Sequence, residues 1–298
     1  MDFATFLIQL LNAVQYGLLL FLVASGLTLI FGIMGIINLA HGSFYMIGAY
    51  LAWSLSGRLG NFWVAIALGI VLTVLLGMLL EWLLVKRLYG RDHLYQVLLT
   101  YGLILIFEEL RSIVWGDDVH GVPIPNVLSA SIPLTDTLEY PVYRLWMSGV
   151  CVVLAVLMYW LIQHTRLGMM IRAGASNRDM TQSLGINIQL LYRLVFALGV
   201  ALAAFAGMIA APVSSVFPGM GGQVLIICFV VVVIGGIGSV KGALVAALLI
   251  GLVDTFGKVL EIEIGGFRVL PELAGMSVYL LMAIVLLWRP EGLFGKRL

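Results

Sequence analysis

The stretch Asn61-Phe-Trp63-Val-Ala-Ile-Ala-Leu-Gly69-Ile-Val-Leu-Thr73-Val-Leu-Leu-Gly77-Met-Leu-Leu-Glu81-Trp82-Leu-Leu-Val85 carries no charged side chain before Glu81. A helix needs roughly 20 apolar residues to cross a hydrocarbon core of about 30 Å, and this segment supplies them. It is apolar all round, so it has no polar face to offer water. The same pattern recurs along the chain. Apolar spans are expected at about 5–31, 43–57, 61–85, 94–115, 144–163, 193–213, 222–238, 242–260 and 272–288. The first is long and the second short, and a glycine-broken stretch lies between them, as in an interrupted or re-entrant helix.

Composition agrees. Of 298 residues, 62% are apolar and 10% charged, whereas a soluble domain carries about a quarter charged residues. Nine crossings would use about 180 residues. A soluble enzyme and a globular domain on a single anchor are both excluded, and nothing provides a basic patch for nucleic acid. The expected fold is all-α: one polytopic transmembrane domain over 1–298 with about 8–10 membrane helices, at least one of them broken. The N-terminus, Met1-Asp2-Phe3, has no basic segment, so the first apolar run is expected to be a retained span rather than a signal peptide. Cys151 and Cys228 lie far apart in apolar runs and read as packing residues.

Basic residues orient the spans. One set of ends holds Lys86, Arg87, Arg91, Arg166, Arg172, Arg178, Arg193, Lys241, Arg289, Lys296 and Arg297. The other holds Arg58, Arg111, Arg144, Lys258 and Arg268, together with Asp117, Asp118, Asp136, Glu139, Glu261, Glu263 and Glu272. The first set is therefore cytoplasmic, and with it the C-terminus. Two loops are long. The outer one, about 116–143, contains Pro123, Pro125, Pro133 and Pro141 and reads as an extended periplasmic flap.

The inner loop, about 164–192, contains a short helix with both ends marked. Ser176 followed by Asp179 fits a capping box, and Gly185 suits the left-handed residue that ends a helix. Met180 and Leu184, four apart, make an apolar stripe beside Arg178, Asp179, Thr181 and Gln182. Two turns of helix are not stable alone in water, so either the membrane surface or a protein partner must hold them.

Glycine clusters interrupt two other segments, at Gly32-Ile-Met-Gly35-Ile-Ile-Asn38-Leu-Ala-His41-Gly42 and at Gly235-Gly236-Ile-Gly238-Ser239-Val-Lys241-Gly242. Each passes from an apolar run through glycines and a small polar residue into renewed helix, which suggests an internal repeat. The second cluster lacks the G-x-x-x-x-G-K-[ST] order of a phosphate loop, so no ATP site is expected on this chain. His41 has no companion ligands at helical spacing for a metal. It and Asn38 read either as caps of a broken helix or as pathway groups. Intramembrane charges are functional candidates by default. Glu108 stands three residues from Arg111, and Asp254 four from Lys258, so local pairs are the simpler reading of both. Glu81, beside Trp82, reads as interfacial. Trp53, Trp63, Trp115, Trp146 and Trp288 fall near span ends, as belt residues would.

The inner loop resembles the coupling helix of ATP-binding-cassette permeases. Gly35-Ile-Ile-Asn38-Leu-Ala-His41-Gly42, Tyr45-Met-Ile-Gly48, Ser183-Leu-Gly185-Ile-Asn187, Gly235-Gly236-Ile-Gly238-Ser239 and Pro290-Glu-Gly292-Leu-Phe-Gly295 resemble the branched-chain amino acid permeases of the high-affinity amino acid and amide importers. The resemblance runs over almost the whole chain and is weakest in the outer flap. It implies a multi-pass permease in a bacterial inner membrane. The implied partners are a second permease subunit, two ATP-binding subunits that hold ATP and Mg, and a periplasmic substrate-binding protein. It implies ATPase coupling through Arg172, Ala175, Ser176, Arg178, Asp179, Met180, Leu184 and Gly185, and a path near Asn38, His41, Gly42, Gly235, Gly236 and Gly238. The cargo would be branched-chain or related amino acids, with urea and short amides as the alternative. A stand-alone secondary transporter or channel is the rival from another class and would need an ion site at Glu108 or Asp254. A membrane-embedded enzyme would need clustered chemistry, and the histidines at 41, 93, 120 and 164 are scattered.

Overall fold

The computed structural model describes residues 3–135, 138–259, 263–264, 267–268 and 271–295. Every expected span is a helix. They are α1 (Phe3–Met34), α2 (His41–Leu59), α3 (Phe62–Leu83), α4 (His93–Trp115), α5 (Val142–His164), α8 (Ile188–Ser214), α9 (Met220–Gly235), α10 (Val240–Val259) and α11 (Pro271–Trp288), with α6 (Arg166–Ser176) and α7 (Arg178–Ser183) in the inner loop. Among the described residues α1, α3, α5, α8 and α10 are long and apolar enough to cross a membrane by length and composition, while α9 and Gly275–Trp288 are shorter apolar helices. The fold is that of a polytopic helical membrane protein. Of the charges that orient the spans, Asp136, Glu261, Lys296 and Arg297 lie outside the described residues.

The helices form two compact units, one of Ser25–Pro123 and Leu154–Ile227, the other of Met1–Ala24, Ile124–Val153 and Cys228–Leu298. The first is built around α8, whose run Gly199-Val-Ala-Leu-Ala203-Ala204-Phe-Ala206-Gly207-Met208 is mostly small residues. Lipid tails are as apolar as leucine, so membrane helices associate through close packing, which small residues permit. A methyl group on Gly48 of α2 would meet the Ala204 carbonyl, and one on Gly207 would meet that of Tyr45. A Cβ on Gly77 of α3 would come within 3.0 Å of Val200. Both α2 and α3 therefore run antiparallel to α8.

In the other unit α10 packs on α11, and Gly251 of α10 lies against the backbone of α1 at Ala13 and Gly17. The outer flap corrects the sequence reading, because much of it is not an extended loop. Strands β1 (Ser131–Thr135) and β2 (Leu138–Pro141) pair antiparallel, with Ile132 opposite Tyr140. Tyr140 donates its hydroxyl hydrogen to Asn12 Oδ1 at 3.2 Å, and Arg144 donates to the same oxygen at 2.7 Å. Pairing of prolines with a β-ladder is confined to edges and strand ends, which is why Pro133 and Pro141 read as loop residues. Two tryptophans also depart from the belt expectation. Trp53 stacks on His120 with ring centroids 3.6 Å apart, and Trp115 leans on Tyr50 at 5.2 Å. Trp288, by contrast, is exposed.

Candidate functional site

The inner loop holds two helices rather than one, and the expected capping box is wrong. Ser176 ends α6, and the N-cap of α7 is Asn177, whose side chain accepts from the Met180 amide at 2.9 Å. Asn177 is extended at φ −152°, and it serves as C-cap of one helix and N-cap of the next. The box pattern missed this because Ser, Asn and Asp are all competent caps and stand in one run. Asp179 keeps its place in the first turn, next to the positive end of the helix dipole. At the other end Gly185 takes φ +85°. The Ile186 amide bonds the Thr181 carbonyl at 3.4 Å and the Gly185 amide that of Gln182 at 3.0 Å, the paired bonds of a Schellman cap.

One side of α7 is anchored and the other is open. Thr181 is buried, whereas Met180 is 63% and Leu184 75% exposed. Ala175, Ser176 and Asp179 are exposed too. Arg172 donates to the Ile162 carbonyl at the end of α5, which fixes α6 to the helix before it.

The anchor of α7 leads to residues that the sequence reading did not single out. Arg178 donates to the Tyr89 carbonyl at 3.2 Å and lies 5.4 Å over the Tyr192 ring. Tyr89 meets Tyr192 edge-on at 5.0 Å and donates its hydroxyl hydrogen to Glu81. Glu81, two residues before the end of α3, is wholly buried and pairs with Arg193 at 3.0 Å. Burial, then the bond to the Glu81 carboxylate, pushes the Tyr89 hydroxyl well above its ordinary value, so it stays a donor. The cluster joins α7, the turn after α3, and the first turns of α8. A signal existed in the sequence: Glu81 is an acid at the basic end of an apolar span, and such a charge needs a partner.

The candidate path residues of the first unit are interior. Asn38 and His41 are buried, and the His41 ring packs against Gly26 of α1. Gly42 lies against the Gly221 carbonyl of α9. The Thr100 hydroxyl of α4 lies 3.3 Å from the Ile37 carbonyl of the broken segment, with its shorter bond, 2.8 Å, to the Gln96 carbonyl of its own helix. Asn38 Nδ2 is buried without a hydrogen-bond partner among the described residues. In the other unit Gly236 and Gly238 take φ +94° and +78°, and the Ser239 hydroxyl oxygen caps α10 by accepting from the Gly242 amide at 3.1 Å. The C-terminal run Pro290–Gly295 folds onto this break. Leu293 and Phe294 amides bond the Ile234 and Gly235 carbonyls at 2.8 and 3.1 Å, satisfying acceptors that the end of α9 leaves open.

The two acids singled out as ion-site candidates, Glu108 and Asp254, are both paired locally. Glu108 pairs with Arg111 at 3.3 Å, and Asp254 with Lys258 at 2.7 Å. Arg111 also pairs with Asp117 at 2.8 Å, which holds the Asp117 carboxyl below its ordinary value. That pair tethers the start of the outer loop, where His120 and Val216 exchange two backbone bonds of 2.8 Å each. Among the described residues no group of three metal-ligating side chains is gathered.

Residues 9–286 match the family model described as the branched-chain amino acid transport system permease component. The chain is 30% identical to the high-affinity branched-chain amino acid transport system permease protein BraD of Pseudomonas aeruginosa, over 98% of this chain and 96% of that one. It is 27% identical to LivH, the permease protein of the same description from Escherichia coli, over 99% and 97% of the two chains. LivM of Escherichia coli is 24% identical over 90% of this chain and 66% of its own length. A match of this extent, on a helical membrane fold, establishes that the chain belongs to the family of permease components of branched-chain amino acid transport systems.

Proposed function

We propose that this permease carries branched-chain amino acids inward across a bacterial inner membrane, driven by ATP hydrolysis on separate subunits. The basic ends and the C-terminus face the cytoplasm, where α7 docks into an ATPase subunit. The observation that carries the reading is the exposed pair of Met180, on a six-residue helix, and Leu184, the C-cap of that helix. Two turns of helix do not hold themselves, and Arg178 and Thr181 fix one side of α7, leaving the apolar pair for a partner. ATP and Mg sit on that partner. A second permease subunit completes the pathway, and a periplasmic binding protein delivers cargo. The path runs by Asn38, His41, Gly42 and the break at Gly235, Gly236 and Gly238.

Nucleotide-driven closure of the ATPase pair displaces α7, and the helices that follow it exchange outward and inward arrangements. Such a displacement drives transport only to the extent that α7 contacts differ between the two states. Glu108 and Asp254, already paired, offer no free ion-coupling site. The test is purification in mild detergent followed by uptake into proteoliposomes. An ATP-hydrolysing chain should accompany the permease, cross-link to a Met180→Cys variant, and be needed for uptake of leucine, isoleucine or valine. Uptake by the permease alone, without any ATPase chain, would overturn the reading.

A further inference from the structure

Arg178 ties α7 to two tyrosines, Tyr89 and Tyr192. Tyr89 accepts Arg178 through its backbone carbonyl at 3.2 Å and grips the buried Glu81 carboxylate through its hydroxyl. Glu81 in turn holds Arg193 at 3.0 Å. The chain itself connects α7 only to α6 and α8, its neighbours in sequence. The helix α3 lies about a hundred residues earlier; it packs on α8 where Gly77 meets Val200, and Tyr89 adds a direct link from α7 to its end. Two contacts fix the geometry of that route. The Tyr192 ring lies beneath the Arg178 guanidinium at 5.4 Å and edge-on to Tyr89 at 5.0 Å, so Arg178 cannot move without disturbing both tyrosines.

We propose that Arg178 and Tyr89 are the positioning residues of the coupling step, joining the docking helix to the Glu81–Arg193 pair so that α3 and α8 follow α7 when it is displaced. This rests on the reading of α7 as the ATPase-docking helix. Met180 and Leu184 meet the partner; Arg178, on the anchored side, passes the displacement to Tyr89. Without that bond, α7 still docks, but it swings against the α3 and α8 pair, which Glu81 and Arg193 hold together, instead of carrying the pair with it. Coupling then fails while assembly survives.

The test uses the complete transport complex in proteoliposomes, with its binding protein, comparing wild type with Arg178→Ala, Arg178→Lys and Tyr89→Phe. Three quantities are read: bound ATPase subunit, ATP hydrolysed per cargo molecule moved, and stimulation of hydrolysis by loaded binding protein. Arg178→Ala should keep the ATPase bound, raise ATP consumed per molecule at least tenfold and abolish stimulation. Arg178→Lys keeps a cationic donor for the carbonyl and should restore most of the coupling. Tyr89→Phe keeps the carbonyl and the ring but loses the grip on Glu81, and should uncouple like Arg178→Ala. It supplies the same test should Arg178→Ala fail to assemble. Wild-type ATP-per-cargo ratios in assembled Arg178→Ala or Tyr89→Phe complexes would overturn the relay and leave the docking reading standing. Absence of an ATPase subunit from the wild-type preparation would overturn the docking reading and the relay with it.

Discussion

Arg193 and Glu81 are 112 positions apart in sequence, yet their side chains meet at 3.0 Å, with the Glu81 side chain wholly buried and the Arg193 side chain 28% exposed. The two ends of this pair are therefore not equivalent. Arg193→Met strands a buried carboxylate, and breaking a buried pair in that way costs about 3–5 kcal/mol. Glu81→Gln leaves an arginine that already reaches solvent and keeps an acceptor for Tyr89, so its cost is about 1 kcal/mol. The double variant should be less destabilised than Arg193→Met alone, because no uncompensated charge remains. Thermal unfolding in detergent measures all three. Equal and additive single-variant shifts would contradict this account.

Gly185 offers a test of backbone geometry alone. It takes φ +85°, and a Cβ placed there would meet nothing within 4 Å. Substitution therefore strains the chain without any clash. A left-handed conformation costs an ordinary residue roughly 1–2 kcal/mol, with asparagine tolerated better and β-branched residues worse. Gly185→Val should retain expression and overall helicity but lose at least tenfold in uptake, because the end of α7 is no longer held. Gly185→Asn should stay within about twofold of wild type. Uptake unchanged in Gly185→Val would remove this cap from the coupling account.

The helices were legible in the sequence because apolar runs of about 20 residues have one outcome in a bilayer. Glycine reading succeeded where a positive φ ends a helix, as at Gly185, since that depends on neighbouring residues. Local ion pairs succeeded for the same reason: Glu108 with Arg111 and Asp254 with Lys258 are three and four apart. What failed needed tertiary contact. The partners of Glu81, Tyr89 and Arg193, lie beyond its span, one of them on a distant helix, so the pairing is not visible locally. Trp53 read as a belt residue because nothing near it in sequence announces His120. Ser176 fits the capping-box spacing, and only the backbone geometry shows that Asn177 takes the cap.

The outer loop carries a pH prediction. Asp117 accepts from Arg111 at 2.8 Å and from the Ser112 hydroxyl at 3.1 Å, and these bonds lower its carboxyl from the ordinary 3.8. A lowered value means the tether is complete above 3.8 and is lost only as pH falls through the depressed value. Hydrogen exchange at the His120 and Val216 amides, corrected for intrinsic rate, should thus stay protected from neutral pH down to that range. Asp117→Asn should raise exchange there at every pH above that range and leave it unchanged below, where the wild-type carboxyl is itself protonated. Asp117 is exposed, so high salt should weaken the tether in wild type, where the Debye length falls to about 3 Å at 1 M. Equal protection in wild type and Asp117→Asn would show that the bridge to Val216 holds the loop unaided.

Two glycine-to-alanine changes should have opposite signs. Gly48 sits where α2 crosses α8, and an added methyl would press into the Ala204 backbone, which cannot rotate away. Overpacking of this kind costs about 1–3 kcal/mol, and here it would also spread the crossing that holds Tyr45 against Gly207. Gly102, within α4, has nothing within 4 Å of its virtual Cβ. Alanine there gains the helix preference that glycine lacks, about 1 kcal/mol. In detergent, Gly48→Ala should lower the unfolding temperature and Gly102→Ala should leave it unchanged or raise it. An equal fall in unfolding temperature for Gly102→Ala would contradict the open face of α4 at that position.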